Sequence, residues 1–212
     1  MHKLKHYTAK IMYITTWPLW QIFFRIFLNY RVIYEDKSIK NLKRNKAVLI
    51  VSNHVTYLDP FLVGAVFPIN SRVYPIRWLT KAKVFSFPIA GLFVRLYGSL
   101  RVERGIGIEN SLKEAINILK KGGSVGIFPE GRLIKNRKLS KAKRGVAYLA
   151  CKTDPLIIPV RIDGMENITI KEIITRKRAV TIYVGKSFRI PKECEKLEEM
   201  SASIMQRVHN LK

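Results

Sequence analysis

The apolar positions of this chain change rhythm several times, and each change predicts an element. AVLIVS (47–52) and SVGIF (124–128) are short apolar runs, which predict strands. PLIIPVRI (155–162) and AVTIYVG (179–185) predict two more strands, and the alternation in GSLRVER (98–104) a fifth. Between them the period lengthens. In SLKEAINILKKGG (111–123), Leu112, Ala115, Ile116 and Leu119 form one stripe, Ser111 and Glu114 have capping-box spacing, and Gly122 marks the stop. FLVGAVF (61–67), apolar all round, and KRGVAYLACKT (143–153) also predict helices. So does the closing stretch, with Leu197, Met200, Ile204, Met205 and Val208 on its inner face. Strands alternating with helices predict an α/β fold, a single layered domain with a largely parallel sheet.

The first 34 residues follow another pattern. IMYITTWPLWQIFFRIFL (11–28) is apolar except at Thr15, Thr16, Gln21 and Arg25, and it carries Trp17 and Trp20 with Tyr13 and Tyr30 nearby. Lys3, Lys5 and Lys10 precede it. Arg25 and Pro18 interrupt the roughly 20 apolar residues that a spanning helix needs, and Pro18 predicts a break or kink. No small-residue cleavage site marks a signal peptide. These features predict a membrane-interface helical segment over 1–34, ahead of an α/β domain over 35–212. Packing of the segment on its own domain is the alternative.

Composition narrows the partners. The chain carries 39 Lys and Arg against 15 Asp and Glu, a net charge of +24, and its 48% hydrophobic content excludes a disordered polycation. Such a field suits nucleic acid or the anionic cytoplasmic face of a bilayer. The aromatic residues cluster in the N-terminal stretch instead of interleaving with basic ones, and no nucleic-acid module is visible. Membrane lipid is therefore the expected partner and nucleic acid is not; a basic nucleic-acid-binding protein is the competing class. Cys151 and Cys194 lack ligand spacing, which predicts reduced structural thiols. The basic run KNRKLSKAKRG (135–145) is expected to form a loop beside the site, either recruiting anions or simply solvated.

Chemistry is concentrated in two stretches that each follow a predicted strand, where α/β folds place their sites. The first, NHVTYLDP (53–60), holds His54; the other histidines, His2, His6 and His209, lie near the ends. Asp59, before Pro60, suits the N-cap of the next helix. Five residues at 100° each leave His54 and Asp59 well apart on a helix, so they meet only if the loop turns back. If it does, the carboxylate fixes the tautomer and the second ring nitrogen takes a proton from a hydroxyl. Capping and pairing both remain open at this level. The second stretch is IFPEGR (127–132).

In order along the chain, NHVTYLDP, LYGSLRVER with Gly98 and Arg104, IFPEGR, and PLIIPVRI with Pro155 and Pro159 resemble the four sequence blocks of the glycerolipid acyltransferase family, which includes the 1-acylglycerol-3-phosphate acyltransferases. LTKAKVFSFPIAG (79–91) and VGKSFRIP (184–191) resemble its intervening and closing segments, so the similarity spans roughly residues 45–191. The resemblance implies an α/β acyltransferase domain, preceded in bacterial members by a monotopic membrane-binding segment. It implies that His54 is the general base and Asp59 its orienting partner. An acyl group would pass from acyl-CoA or acyl carrier protein to the hydroxyl of 1-acylglycerol 3-phosphate, giving phosphatidic acid at the cytoplasmic face of a membrane, with the protein monotopic or peripheral there. Neither a covalent acyl-enzyme nor a metal or other cofactor is implied. Arg104 and Arg132 then suit the acceptor's phosphate. Glu130 suits a hydrogen bond from the acceptor hydroxyl or from a neighbouring arginine, and Gly131 a close backbone approach. In many relatives a small residue separates FPEG from the arginine; here Arg132 follows Gly131 directly. That departure leaves open a second set of acceptors: another lysophospholipid, glycerol 3-phosphate or an acyl-chain-bearing amine.

Overall fold

Val48–Ser52 (β2) is buried along its whole length, because both faces of the sheet it lies in are covered. Val48 and Ile50 enter one apolar cluster and Leu49 and Val51 the other, as strand geometry sends alternate side chains to opposite faces. The protein was studied as a computed structural model, which describes residues 2–42, 46–134, 141–191 and 195–212, with backbone alone for 2–5, 40 and 41. Residues 135–140 of the basic run and Cys194 lie outside the described residues. Cys151 is buried.

The other strands are Asn29–Tyr34 (β1), Ile76–Lys81 (β3), Leu100–Val102 (β4), Ser124–Ile127 (β5), Leu156–Asp163 (β6) and Ala179–Val184 (β7). They form one seven-stranded sheet in the order β1-β7-β6-β2-β5-β3-β4. β6, β2, β5, β3 and β4 are mutually parallel, whereas β7 pairs antiparallel with β6 and parallel with β1. The sheet is thus largely parallel, as the pattern predicts, with β1 and β7 running against the rest. All five parallel strands open their C-terminal ends on one edge.

Helices cover both faces. His2–Phe27 (α1) and Asp59–Ala65 (α2) pack on one; Ile108–Lys120 (α4), Gly145–Thr153 (α5) and Leu197–His209 (α7) pack on the other. Pro88–Leu96 (α3) and Ile170–Thr175 (α6) complete the set. Three local expectations are corrected. α4 starts at Ile108, a turn before Ser111, whose hydroxyl donates to the Glu103 carbonyl instead of capping. α1 continues through Pro18. The bond that proline removes is to the carbonyl of Ile14, on the exposed face, while Trp17 and Gln21 anchor the helix by donating to the Phe67 and Ala65 carbonyls. Finally, one face of α1 packs on its own domain. Ala9, Tyr13 and Phe24 are buried there, and the Tyr13 hydroxyl donates to the Ile76 carbonyl. The last six residues of segment 1–34 are β1, part of the sheet.

Candidate active site

Parallel strands deliver the site's residues to one edge. His54 follows β2, Lys81 ends β3, Arg104 follows β4, and Glu130, Gly131 and Arg132 follow β5. Asn53 fixes where the β2 loop departs. Its buried side-chain amide donates to the Ile162 carbonyl and accepts from the Ile162 N–H, both at 2.8 Å, which pins it to β6. The next residue is clamped from the other neighbour. The His54 N–H donates to Glu130 Oε2 at 2.8 Å, and the His54 carbonyl accepts from the Ile134 N–H at 2.7 Å.

The loop then turns back. Asp59 is the first residue of α2, not its N-cap, and its fully buried carboxylate reaches over the preceding loop. Oδ2 accepts from His54 Nδ1 at 2.8 Å, Val55 N–H at 2.6 Å and Thr56 N–H at 2.9 Å, while Oδ1 accepts from the Thr56 hydroxyl at 2.7 Å. Leu58 takes the N-cap position without a side-chain cap. Pairing, not capping, is therefore the role the geometry gives Asp59. A carboxylate can only accept, so Nδ1 carries the ring proton and Nε2 holds the lone pair. Among the described residues nothing bonds Nε2, and the His54 side chain is 19% exposed.

Aromatic rings fix the plane of the imidazole. Phe128 stacks on His54 at 4.1 Å and 13°, and Trp78 stacks on Phe128 at 4.6 Å and 10°. Trp78 lies opposite Gly126 in the β3–β5 register. A Cβ on Gly126 would sit 2.5 Å from the indole, so the absent side chain gives that ring its place. In Glu130, burial raises the carboxyl pKa to about 7 against the opposing pull of the His54 amide. Its carboxylate thus holds the histidine's backbone, a third role beside the two the sequence suggested.

Cations line the other side. Gly131 has φ +61°, and a Cβ there would lie 2.9 Å from Lys143 Nζ, so the lysine runs directly over the glycine. The Lys143 pKa is lowered by burial and by the charges of Arg104, Lys81 and Arg132. All six residues singled out in the sequence thus come together, with Arg104 and Arg132 exposed to solvent. Lys143, Asn53, Phe128 and Trp78 were missed. Lys143 had a signal, its place in the basic run; the contacts of the other three are not visible in sequence. Among the described residues, no group of three or more His, Cys, Asp and Glu is placed to hold a metal ion.

A family model described as Acyltransferase matches residues 31–163. The chain is 28% identical over 147 residues to the 1-acyl-sn-glycerol-3-phosphate acyltransferase of Borreliella burgdorferi, covering 68% of this chain and 56% of that protein. It is 30% identical over 128 residues to the lyso-ornithine lipid O-acyltransferase of Pseudomonas aeruginosa, covering 56% of this chain and 45% of that one. The chain spans about half the length of these curated relatives. Its fold is similar to the crystal structure of the 1-acyl-sn-glycerophosphate acyltransferase of Thermotoga maritima, with TM-score 0.64 and 19% identity over 99% of this chain and 83% of that one. The model match covers more than half of the sequence and includes the paired histidine and aspartate, the FPEGR turn and the strand ends that carry them: this chain belongs to the Acyltransferase family.

Proposed function

We propose that the protein is a membrane-associated O-acyltransferase that moves a fatty acyl group from a thioester, acyl-CoA or acyl carrier protein, to the free hydroxyl of 1-acylglycerol 3-phosphate. The observation that carries this is the 2.8 Å bond from His54 Nδ1 to a buried aspartate. It leaves Nε2 as the base, beside a cluster of cations. Nε2 takes the hydroxyl proton as the acceptor oxygen attacks the thioester carbonyl. The C–S bond breaks, and the thiolate leaves with the proton that His54 carried. Asp59 stabilises the transient imidazolium. Arg104, Arg132, Lys143 and Lys81 receive the phosphate; Gly131 allows Lys143 to lie close to the turn, and Glu130 fixes the base's backbone.

The relatives named for 1-acyl-sn-glycerol-3-phosphate acylation support this acceptor, and so does the charge of the cluster. Among the described residues no helix is long and apolar enough to cross a membrane, and α1 carries exposed apolar side chains with basic neighbours. Both favour surface attachment to a membrane, and the net charge of +24 suits its anionic cytoplasmic face. The test is thiol release by purified protein in detergent, with one acyl thioester and a panel of acceptors, for wild type and His54→Ala. Wild type turns over lysophosphatidic acid fastest, and His54→Ala loses at least about a hundredfold in kcat while staying folded. Normal turnover by that variant rejects the mechanism, and a preference for a zwitterionic lysolipid rejects the acceptor.

A further inference from the structure

The two longest stretches of this chain without an Asp or Glu are residues 1–34 and 60–102, and the second contains six Lys and Arg. The fold brings their helices together. α1 packs against α3, and the Tyr97 hydroxyl at the end of α3 bonds both the Thr16 hydroxyl and the Trp20 indole of α1. α3, PIAGLFVRL, buries only Gly91. Phe87 just before it is 51% exposed, Ile89 75%, Leu92 54% and Phe93 42%. An apolar helix left this bare is not a core helix. On α1, Ile11, Ile22 and Ile26 are also exposed.

We infer that α3 is a second membrane-embedding element, which together with α1 seats the protein on an anionic bilayer and brings the lipid acceptor to the site from the bilayer plane. Nine helical residues span roughly 13 Å, too short to cross and suited to lying in the interface. Charge points to the occupant. Lys81, Lys83 and Arg95 flank the patch with no acid among them, an arrangement that attracts anionic headgroups. Position supplies the link to catalysis. A short 3₁₀ helix, Ala82–Ser86, joins α3 to Lys81, whose charge bears on Lys143 over the FPEGR turn. A lysolipid whose chain lies along α3 thus has its headgroup beside the cation cluster. Docking stands on the exposed surface alone; delivery also rests on the proposed acyltransferase activity.

The test compares the full chain with Ile89→Glu/Leu92→Glu and with the apolar control Ile89→Leu/Leu92→Ile. Binding is read by co-sedimentation with phosphatidylglycerol–phosphatidylcholine vesicles. Activity is read on long-chain lysophosphatidic acid embedded in those vesicles and on a short-chain, monomeric lysophosphatidic acid. Circular dichroism checks the fold, which these exposed positions leave intact. The acidic variant binds at least about tenfold more weakly. It loses vesicle-embedded turnover and keeps the monomeric rate, while the apolar control behaves as wild type. Unchanged vesicle binding overturns the inference, as does unchanged binding with a shift in oligomeric state, which would make the patch a protein contact. If binding falls as expected but wild type acylates neither acceptor, docking stands and the proposed activity fails.

Discussion

Asp59→Asn removes one negative charge and almost no volume, and the hydrogen bonds decide how the new side chain sits. Oδ2 accepts three donors, from His54, Val55 and Thr56, whereas Oδ1 accepts only the Thr56 hydroxyl. An asparagine places its oxygen where the three donors converge and its NH₂ opposite Thr56 Oγ1, which can rotate to accept. The loop therefore persists, and Nδ1–H of His54 still meets an oxygen. Charge is what disappears. For two charges about 4 Å apart at an effective dielectric near 20, the lost attraction to the imidazolium is about 4 kcal/mol, or roughly a thousandfold in kcat. Weakening four charge-assisted bonds to neutral ones removes about 1–3 kcal/mol of stability. The assay is initial-rate thiol release over a range of both substrates, with urea unfolding alongside. The variant should be folded, with kcat down by roughly that factor and KM values little changed, because the loss falls on the transition state. A folded variant within about threefold of wild type would reduce Asp59 to a loop scaffold and refute the general-base argument.

Three other perturbations probe the surroundings. Glu130, with its pKa raised to about 7 from 4.5, holds a proton in the folded state over a window where the unfolded chain has lost it. Stability therefore falls as pH rises from about 4.5 to 7, by about 2–3 kcal/mol; Glu130→Gln should flatten that slope in urea titrations at pH 5 and pH 8. Gly126→Ala places a methyl against the Trp78 indole and disturbs the stack that sets the His54 ring. About 1–3 kcal/mol of stability should go, with kcat falling and a smaller ring at position 78 restoring part of both. Lys143→Ala should raise KM for a phosphate-bearing acceptor by about tenfold or more and leave kcat within a small factor; equal KM values with and without the phosphate would remove Lys143 from that role.

Elements whose burial is local were legible in the sequence. β2, β5, β6 and β7 declare themselves by apolar runs, and α4 and α7 by their stripes. β1 was hidden because it is an edge strand whose side chains are never fully buried, NYRVIY alternating between exposed and half-buried. β3 was hidden because Pro75 precedes it and Arg77 interrupts it; the arginine is buried and donates to the Gly98 carbonyl. The direction of β7 is not encoded in its pattern, since parallel and antiparallel strands can bury the same faces. At the site, residue identities were readable but several roles were not. Asp-Pro looks like a cap from either side of the chain, and only the fold shows the carboxylate turned toward the loop. Glu130 holds an amide 76 residues away, a contact for which no local pattern exists.

The two sides of the site follow opposite electrostatic logic, and together they bear on the acceptor. On the base side, every carboxylate is committed to donors. Asp59 is saturated by four of them, and Glu130 is buried deeply enough to hold its proton near neutral pH. On the cation side, Lys143 is pressed by Arg104, Lys81 and Arg132, and repulsion among them adds to burial in lowering its pKa. Repulsion of this kind is relieved by an anion, and more by a dianion than by a singly charged group. A phosphomonoester brings two charges and no cation. A headgroup that carries an amine would add a positive charge to a cluster that already opposes its own, and like-charge placement is among the stronger means of rejecting a wrong partner. The same repulsion gives a sign to the effect of binding. Phosphate at this cluster should raise the Lys143 pKa back toward its ordinary value, so acceptor binding takes up protons at alkaline pH, where the lysine is partly neutral. Calorimetry in buffers of different ionisation enthalpy measures that uptake. Proton release in place of uptake would mean the phosphate sits elsewhere.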